Sequence, residues 1–179
     1  METFKELRNQ EVKKLFLVVW PPLGEEKELD IDISFGFVFP QNPDRLCVIT
    51  TDKEDMWTPC LRFEGIPTKV YSWSSFASRM NAWMKSECES DLETEYYEVT
   101  DIQEFSNIIA SKIQSIEFVG LKNNPEPFGV KVVFDNDYIL STPISDGNTV
   151  ETSQFNRNDN LLNFERMGTL DIKSFESLN

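Results

Sequence analysis

The alternation between Asp30 and Phe39 is the sequence feature that most constrains the fold. Every second residue is large and apolar, and the residues between them are mostly small or polar. A period of two places these side chains on one side of an extended chain, whereas an α-helix would scatter them around its axis. The segment therefore predicts a half-buried strand whose apolar face consists of Ile31, Ile33, Phe35, Phe37 and Phe39.

Further strands are expected on both sides of this one. An apolar run at 12–20 stops at a proline pair, a turn at 40–44 leads into a hairpin partner at 45–51, and a short strand follows near 60–63. From residue 113 onward, apolar runs alternate with turn residues, which predicts strands at 113–121, 129–134, 138–142 and 149–155. The second half of the chain is thus predicted to form a β-meander.

Helical periodicity appears only in the middle of the chain. After Ser72, apolar residues recur at three- and four-residue spacing: Trp73, Phe76, Ala77, Met80, Trp83 and Met84. This stripe suits either packing on the sheet or a groove for a partner. Thr100 and Gln103 match a capping box, which predicts a second helix.

The predicted class is α+β, with antiparallel sheet or sheets, two helices and a C-terminal meander. Residues 1–179 are expected to form a single domain, with 100–112 as the point where it could subdivide.

Composition excludes several kinds of chemistry. The chain has no histidine, which removes Ser-His-Asp and Cys-His catalysis and histidine-ligated zinc. A net charge of −14 argues against binding a nucleic-acid backbone. Cys47, Cys60 and Cys88 are odd in number and form no C-x-x-C pair, which favours reduced thiols in the cytoplasm. No signal peptide is visible, and the first apolar run is too short to cross a membrane. We expect no enzyme activity, no cofactor, no bound metal and no membrane partner.

The negative charge is concentrated in three patches. Residues 86–104 contain eight acidic residues and no basic one, a second patch spans 25–32, and turn acids of the meander form the third. Carboxylates steer and pair with cationic surfaces, and nearby aromatic rings anchor such contacts. If residues 93–98 are extended, Glu93, Glu95 and Tyr97 share one side, with both acids exposed. The predicted partner-binding residues are Glu87, Glu89, Asp91, Glu93, Glu95, Tyr97, Glu98, Asp135 and Asp137. For any single patch the alternative is a solvated surface that maintains solubility.

The meander also carries a family resemblance. The strand, Asn-containing turn and return strand at 129–140, followed by Ser145, Asp146 and Gly147, resemble the immunity proteins of bacterial contact-dependent growth-inhibition and related polymorphic toxin systems. The resemblance implies a cytoplasmic bacterial protein that binds the basic C-terminal domain of one cognate toxin, often a nuclease, and occludes its active site. Two alternatives stay open at this point: a carboxylate-based hydrolase and an acidic protein that mimics DNA.

Overall fold

The computed structural model describes residues 2–22, 31–52, 58–85, 87, 93–124, 126–144 and 147–175. Within these ranges, strands predominate and the helices are short. The elements in chain order are α1 (Glu2–Lys5), β1 (Lys14–Trp20), β2 (Asp32–Phe39), β3 (Asn42–Asp52), β4 (Thr58–Gly65), β5 (Tyr71–Ser72), a 3-10 turn (Trp73–Ser75), α2 (Phe76–Met84), β6 (Glu95–Glu98), a 3-10 turn (Gln103–Phe105), β7 (Ser115–Leu121), β8 (Gly129–Val133), β9 (Tyr138–Pro143), β10 (Asn148–Glu151), α3 (Leu161–Glu165) and β11 (Leu170–Ser174).

The strands form two sheets. The first has six strands in the order β4-β3-β2-β1-β6-β5, and the second has five in the order β10-β9-β8-β7-β11. Every described pairing is antiparallel except that of β5 with β6. The predicted α+β class and the C-terminal meander, β7 to β10, are confirmed. The same sheet has a fifth strand, β11, which pairs with β7 and comes from a segment for which the sequence predicts no strand.

The main core lies between the two sheets. Phe35 and Phe37 are fully buried there, and the Phe37 ring meets that of Phe134, after β8, edge to face at 6.0 Å. Ile31 and Ile33 pack against the same cluster from partly buried positions. The predicted apolar face of β2 is therefore confirmed, and it supplies the contact that joins the sheets.

The first sheet curls, and this buries its other face as well. β4 and β6 are four strands apart, which is about 19 Å across a flat sheet. Nevertheless Glu64 of β4 and Tyr96 of β6 line the same cavity. The concave face enclosed by this curl holds a second apolar cluster, Phe16, Val18, Val38, Leu46 and Val48. β2 is consequently buried on both faces, whereas the alternation predicted burial on one.

Gly36 allows the close approach at the centre of this curl. A Cβ atom there would lie 3.0 Å from Cδ1 of Leu46 and 3.3 Å from the Cys47 carbonyl oxygen. The absence of a side chain in β2 thus makes room for a leucine of β3.

One predicted helix is confirmed and the other is replaced. α2 forms where the apolar stripe predicts it and buries Met80 and Trp83, so its stripe packs against the protein itself. At Thr100 the structure has a single 3-10 turn, Gln103–Phe105, in place of an α-helix. The predicted capping box fails because the Thr100 hydroxyl accepts a hydrogen bond from the Leu15 amide of β1 at 3.2 Å.

Candidate functional site

The strand order brings distant parts of the sequence to one end of the first sheet. Trp20, the last residue of β1, pairs with Asp32, the first of β2, and the end of β3 pairs with the start of β4. β6 begins here too, since Glu95 pairs with Val19. The second sheet meets the same place, where the Asn148 amide donates to Oδ1 of Asp32 at 2.9 Å. We call this end of the first sheet the acidic end.

The name reflects the connections that begin or finish there. In the sequence, residues 21–31, 53–57, 86–94 and 145–146 contain eleven acidic residues and two lysines. The predicted residues Glu89 and Asp91 belong to these connections and lie outside the described residues, as does Asp146 of the third patch. Glu87 and Glu93 are described, and both are exposed. Trp20 adds a large aromatic side chain, 44% exposed, at the same end.

A notch opens beside the acidic end, at the edge of β6. β5 pairs with Tyr97 and Glu98, and no strand in the described part of the chain pairs with the preceding residues of β6 on that side. A cavity of about 260 Å³ lies there. Its walls include three carboxylates, one lysine and three aromatic side chains, namely Glu64, Glu93, Glu95, Lys69, Tyr71, Trp83 and Tyr96.

Glu95 forms the back of this notch and is surrounded by donors. Nε of Arg79 lies 3.1 Å from each carboxylate oxygen, and Nη2 of Arg79 also donates to Oε1. The indole Nε1 of Trp83 donates to Oε1 at 2.8 Å, and the Tyr97 hydroxyl donates to Oε2. The Arg79 guanidinium stacks on the ring of Tyr71, 3.7 Å from its centroid. We call Arg79, Trp83, Glu95 and Tyr97 the Glu95 cluster.

The Glu95 cluster sets the charge state of its members. Burial alone would raise the pKa of the Glu95 carboxyl, but the hydrogen bonds from Arg79, Tyr97 and Trp83 and the Arg79 charge lower it below the usual value. Burial, followed by the bond to Glu95, raises the pKa of Tyr97. The hydrogen bond to Glu95 likewise raises the pKa of Arg79. Glu95 is therefore an ionised carboxylate with donors on both oxygens.

This arrangement corrects the prediction for Glu95 and Tyr97. The alternation along β6 is right, because Glu95 and Tyr97 share one face and Tyr96 and Glu98 the other. The expected exposure is wrong, since Glu95 is 2% and Tyr97 0% exposed. The physical reason is Arg79, which supplies the charge that a buried carboxylate needs. Arg79 and Trp83 are four residues apart on α2, and this spacing on one helix face was the available signal.

The remaining predicted residues lie apart from the notch. Glu98 forms an ion pair with Lys14, 3.0 Å away, at the other end of β1. Asp135 is exposed in the β8–β9 turn. Asp137, predicted to face a partner, is buried, and its Oδ1 accepts the amides of Tyr138 at 2.8 Å and Ser153 at 2.9 Å. The Asp137 carboxylate therefore stabilises the turn from inside the fold, and the prediction that it faces a partner is wrong. The turn precedes Tyr138, the first residue of β9, and the acidic end is reached only after Pro143, the last residue of β9. These two ends of β9 are about 17 Å apart.

Glu64 lines the notch, although the sequence pattern did not predict it as a site residue. Its carboxylate is about one-quarter exposed, Oε2 lies 3.5 Å from Nε of Arg62, and Oε1 is buried without a hydrogen-bond partner. Burial, followed by the interaction with the nearby Glu64 carboxylate, raises the pKa of Tyr96 to about 12. β4 is remote from β6 in sequence, so only the curl of the sheet reveals that Glu64 faces the notch.

The described residues contain no group of three or more carboxylate, cysteine or histidine side chains arranged to hold a metal ion. None of their helices has the length and apolar character needed to cross a membrane. Comparison with protein-family models, with curated proteins and with solved structures finds no match for this chain.

Proposed function

We propose that this protein is a non-catalytic inhibitor that binds a basic partner protein through the acidic end. In its specific form, the proposal is an immunity protein that acts in the bacterial cytoplasm, binds the basic C-terminal domain of a cognate toxin and occludes its active site. The observation that carries the proposal is that described residues at which four acid-rich connections of the sequence begin or end lie at one end of the first sheet. Three of these connections belong to the separate acidic patches of the sequence.

Electrostatics supports this choice of surface. Like charges held together raise the free energy of the folded chain, and a cationic partner relieves that repulsion while the field accelerates encounter. Arg79 does not neutralise the acidic end, because its guanidinium is bound to Glu95. Glu87 and Glu93 remain exposed to a partner.

Exposed Trp20 gives the surface a second element of recognition. Tryptophan is enriched among the residues that dominate the binding energy of interfaces, and charged residues around such an anchor contribute mostly to the rate of association. The acidic end combines both, with Trp20 paired directly to Asp32.

The test is protection against the toxin domain encoded immediately upstream of the gene. Each variant is co-expressed with that domain, and growth and co-purification are measured. The paired reversal Glu87→Lys with Glu93→Lys should leave the melting temperature unchanged, because both side chains are exposed. It should lower the association rate about tenfold or more at low salt, with a smaller effect at physiological salt.

The matched control is Glu126→Lys with Glu165→Lys, which changes the net charge equally at two exposed sites outside the acidic end. The proposal expects this control to protect as well as the wild type. A toxin domain that never co-purifies with the wild-type protein, or equal losses from both reversals, would refute the proposal.

A further inference from the structure

The second sheet ends in a strand whose outer side has no strand neighbour in the described part of the chain. This strand, β11, pairs with β7 on its inner side. Ile172, in the middle of β11, is 47% exposed although its side chain is large and apolar. An edge strand with exposed apolar side chains is a template for pairing with another strand. β11 is therefore a candidate interaction surface.

The hydrogen bonds between β7 and β11 show which backbone groups of β11 face outward. The Lys122 amide donates to the Thr169 carbonyl oxygen, just before β11, at 2.9 Å. In an antiparallel pair, hydrogen-bonded residues alternate with non-hydrogen-bonded ones. Asp171 and Lys173 therefore direct their backbone groups toward β7. Ile172 lies between them, so its N–H and C=O point away from β7, toward the open edge.

The side chains of β11 limit the kind of strand that fits this edge. Asp171 and Lys173 are two residues apart and share a face, with Nζ of Lys173 2.7 Å from Oδ2 of Asp171. Charged residues on an edge strand discourage pairing with an arbitrary strand, because like or missing charges on that strand leave them unmatched. A fitting strand presents an acid opposite Lys173 and a cation opposite Asp171.

A second copy of β11 meets both conditions. Ile172 is midway between Asp171 and Lys173, so antiparallel pairing of two copies about Ile172 places each Asp171 opposite Lys173 of the other copy. The two Ile172 residues then form a hydrogen-bonded pair through their outward N–H and C=O groups. The charged residues occupy non-hydrogen-bonded positions, where opposite side chains are closer, with Cα atoms about 4.5 Å apart.

The overall charge of the chain also favours this edge as the place where two copies meet. The net charge is −14, so two copies repel each other over most of their surface. The charges of Asp171 and Lys173 cancel, which leaves β11 neutral. Ile172 adds apolar area at the centre of the contact, where it meets its own counterpart.

We infer that two copies of this protein associate through β11, in antiparallel register centred on Ile172, and thereby join their two second sheets into one continuous sheet. The pairing is a closed two-fold contact, since the same patch is used on both copies. A strand of five residues makes a small interface, so the dimer is weak, with a dissociation constant in the micromolar range. The inference does not depend on the proposed function, because β11 is at the opposite edge of its sheet from β10, which meets the acidic end.

Sedimentation equilibrium of the full chain, from about 1 μM to about 1 mM, tests the inference. The wild type should dimerise. Asp171→Lys and Lys173→Asp each turn both cross-strand charge pairs into like-charge pairs, so each should weaken dimerisation at least about tenfold. The control Glu126→Lys changes the net charge as Asp171→Lys does, at an exposed site outside β11, and should leave dimerisation unchanged.

Two rescue experiments separate lost charge pairing from lost folding. An equimolar mixture of Asp171→Lys and Lys173→Asp should form a heterodimer, because opposite charges face each other again across the two strands. The double variant, Asp171→Lys with Lys173→Asp, should form a homodimer for the same reason. In the wild type, the Ile172 amide should exchange its hydrogen more slowly at high protein concentration than at low concentration, and Asp171→Lys should remove this difference.

Three results would overturn the inference. A wild type that stays monomeric at about 1 mM would leave the edge to solvent or to a strand of a different protein. A dimer that persists equally in both single variants would lie on another surface. A mixture of the two single variants that stays monomeric, while each keeps the wild-type melting temperature, would show that the charges of β11 do not pair across copies.

Discussion

Removing Arg79 tests whether the Glu95 cluster is held together by charge. In Arg79→Met an unbranched apolar side chain replaces the arginine, and the donors from Trp83 and Tyr97 remain. The Glu95 carboxylate, whose side chain is 3% exposed, then loses its only cationic hydrogen-bond partner among the described residues.

The magnitude follows from the burial of the two partners. Breaking a buried ion pair by removing one member destabilises a protein by about 3–5 kcal/mol. The Arg79 side chain is 28% exposed, so water can replace part of what Glu95 loses, and the lower end, about 3 kcal/mol, is expected. For a chain of this size that corresponds to a fall in melting temperature of roughly 6–12 °C.

A second substitution separates charge from packing. If the orphaned charge causes the loss, adding Glu95→Gln to Arg79→Met should restore about 1–2 kcal/mol, because the amide keeps an acceptor for Trp83 or Tyr97 without a buried charge. Urea unfolding at pH 7 measures all three proteins. A double variant less stable than Arg79→Met, or an Arg79→Met protein within about 1 kcal/mol of the wild type, would refute the reasoning.

The same pair predicts a dependence on pH. The pKa of Glu95 is lower in the folded protein than its ordinary value of about 4.3, so its stabilising contribution is present above that value and is lost as pH falls through the folded pKa. The stability difference between wild type and Arg79→Met should therefore be largest near neutrality and should shrink as the pH falls through the titration of Glu95. A difference that is constant from pH 7 to pH 3 would contradict this account.

Two further predictions concern stability. Burial, followed by the charge of Asp159, raises the pKa of the Glu151 carboxyl, so the ionised form of Glu151 disfavours folding above that pKa. Glu151→Gln should therefore raise the unfolding free energy at pH 7 by on the order of 1 kcal/mol. This gain should vanish as the pH falls through the titration of Glu151. Thermal melts across that range check this, and a variant no more stable than the wild type at pH 7 would contradict it. A Cβ at Gly147 would lie 2.7 Å from the Cα of Asp32, so Gly147→Ala should destabilise the junction of the sheets by about 1–3 kcal/mol, whereas Gly65→Ala, with nothing within 4 Å, should not strain the chain. Equal melting temperatures for the two alanine variants would show that the junction can yield.

The local pattern of the sequence determined which segments extend and which side chains share a face. The period of two along β2 placed Phe35, Phe37 and Phe39 together, and the structure buries them together. The same rule grouped Glu95 with Tyr97 on β6. These predictions hold because alternation is a property of an extended backbone and needs no knowledge of its neighbours.

The local sequence did not predict the structure at β11 or at Thr100. β11 is a half-exposed edge strand with Asp171 and Lys173 beside each other in an ion pair, so its sequence shows little apolar alternation. Thr100 has the sequence of a helix cap, but its hydroxyl is engaged by β1, whose chain lies 85 residues away. In both cases a strand distant in sequence decided the local structure.

Tertiary structure alone decided which face of β6 is inside and which acids come together. A carboxylate is expected at the surface unless a cation accompanies it inward, and Arg79 accompanies Glu95 only because α2 packs against β6. Likewise Glu64 and Tyr96 line one cavity only because the first sheet curls, and Trp20, Asp32 and Glu95, which flank acid-rich connections, lie together only because strand order places them at one end. Local sequence carries the periodicity of each element, but long-range pairing determines what each face touches, and burial and charge follow from that contact.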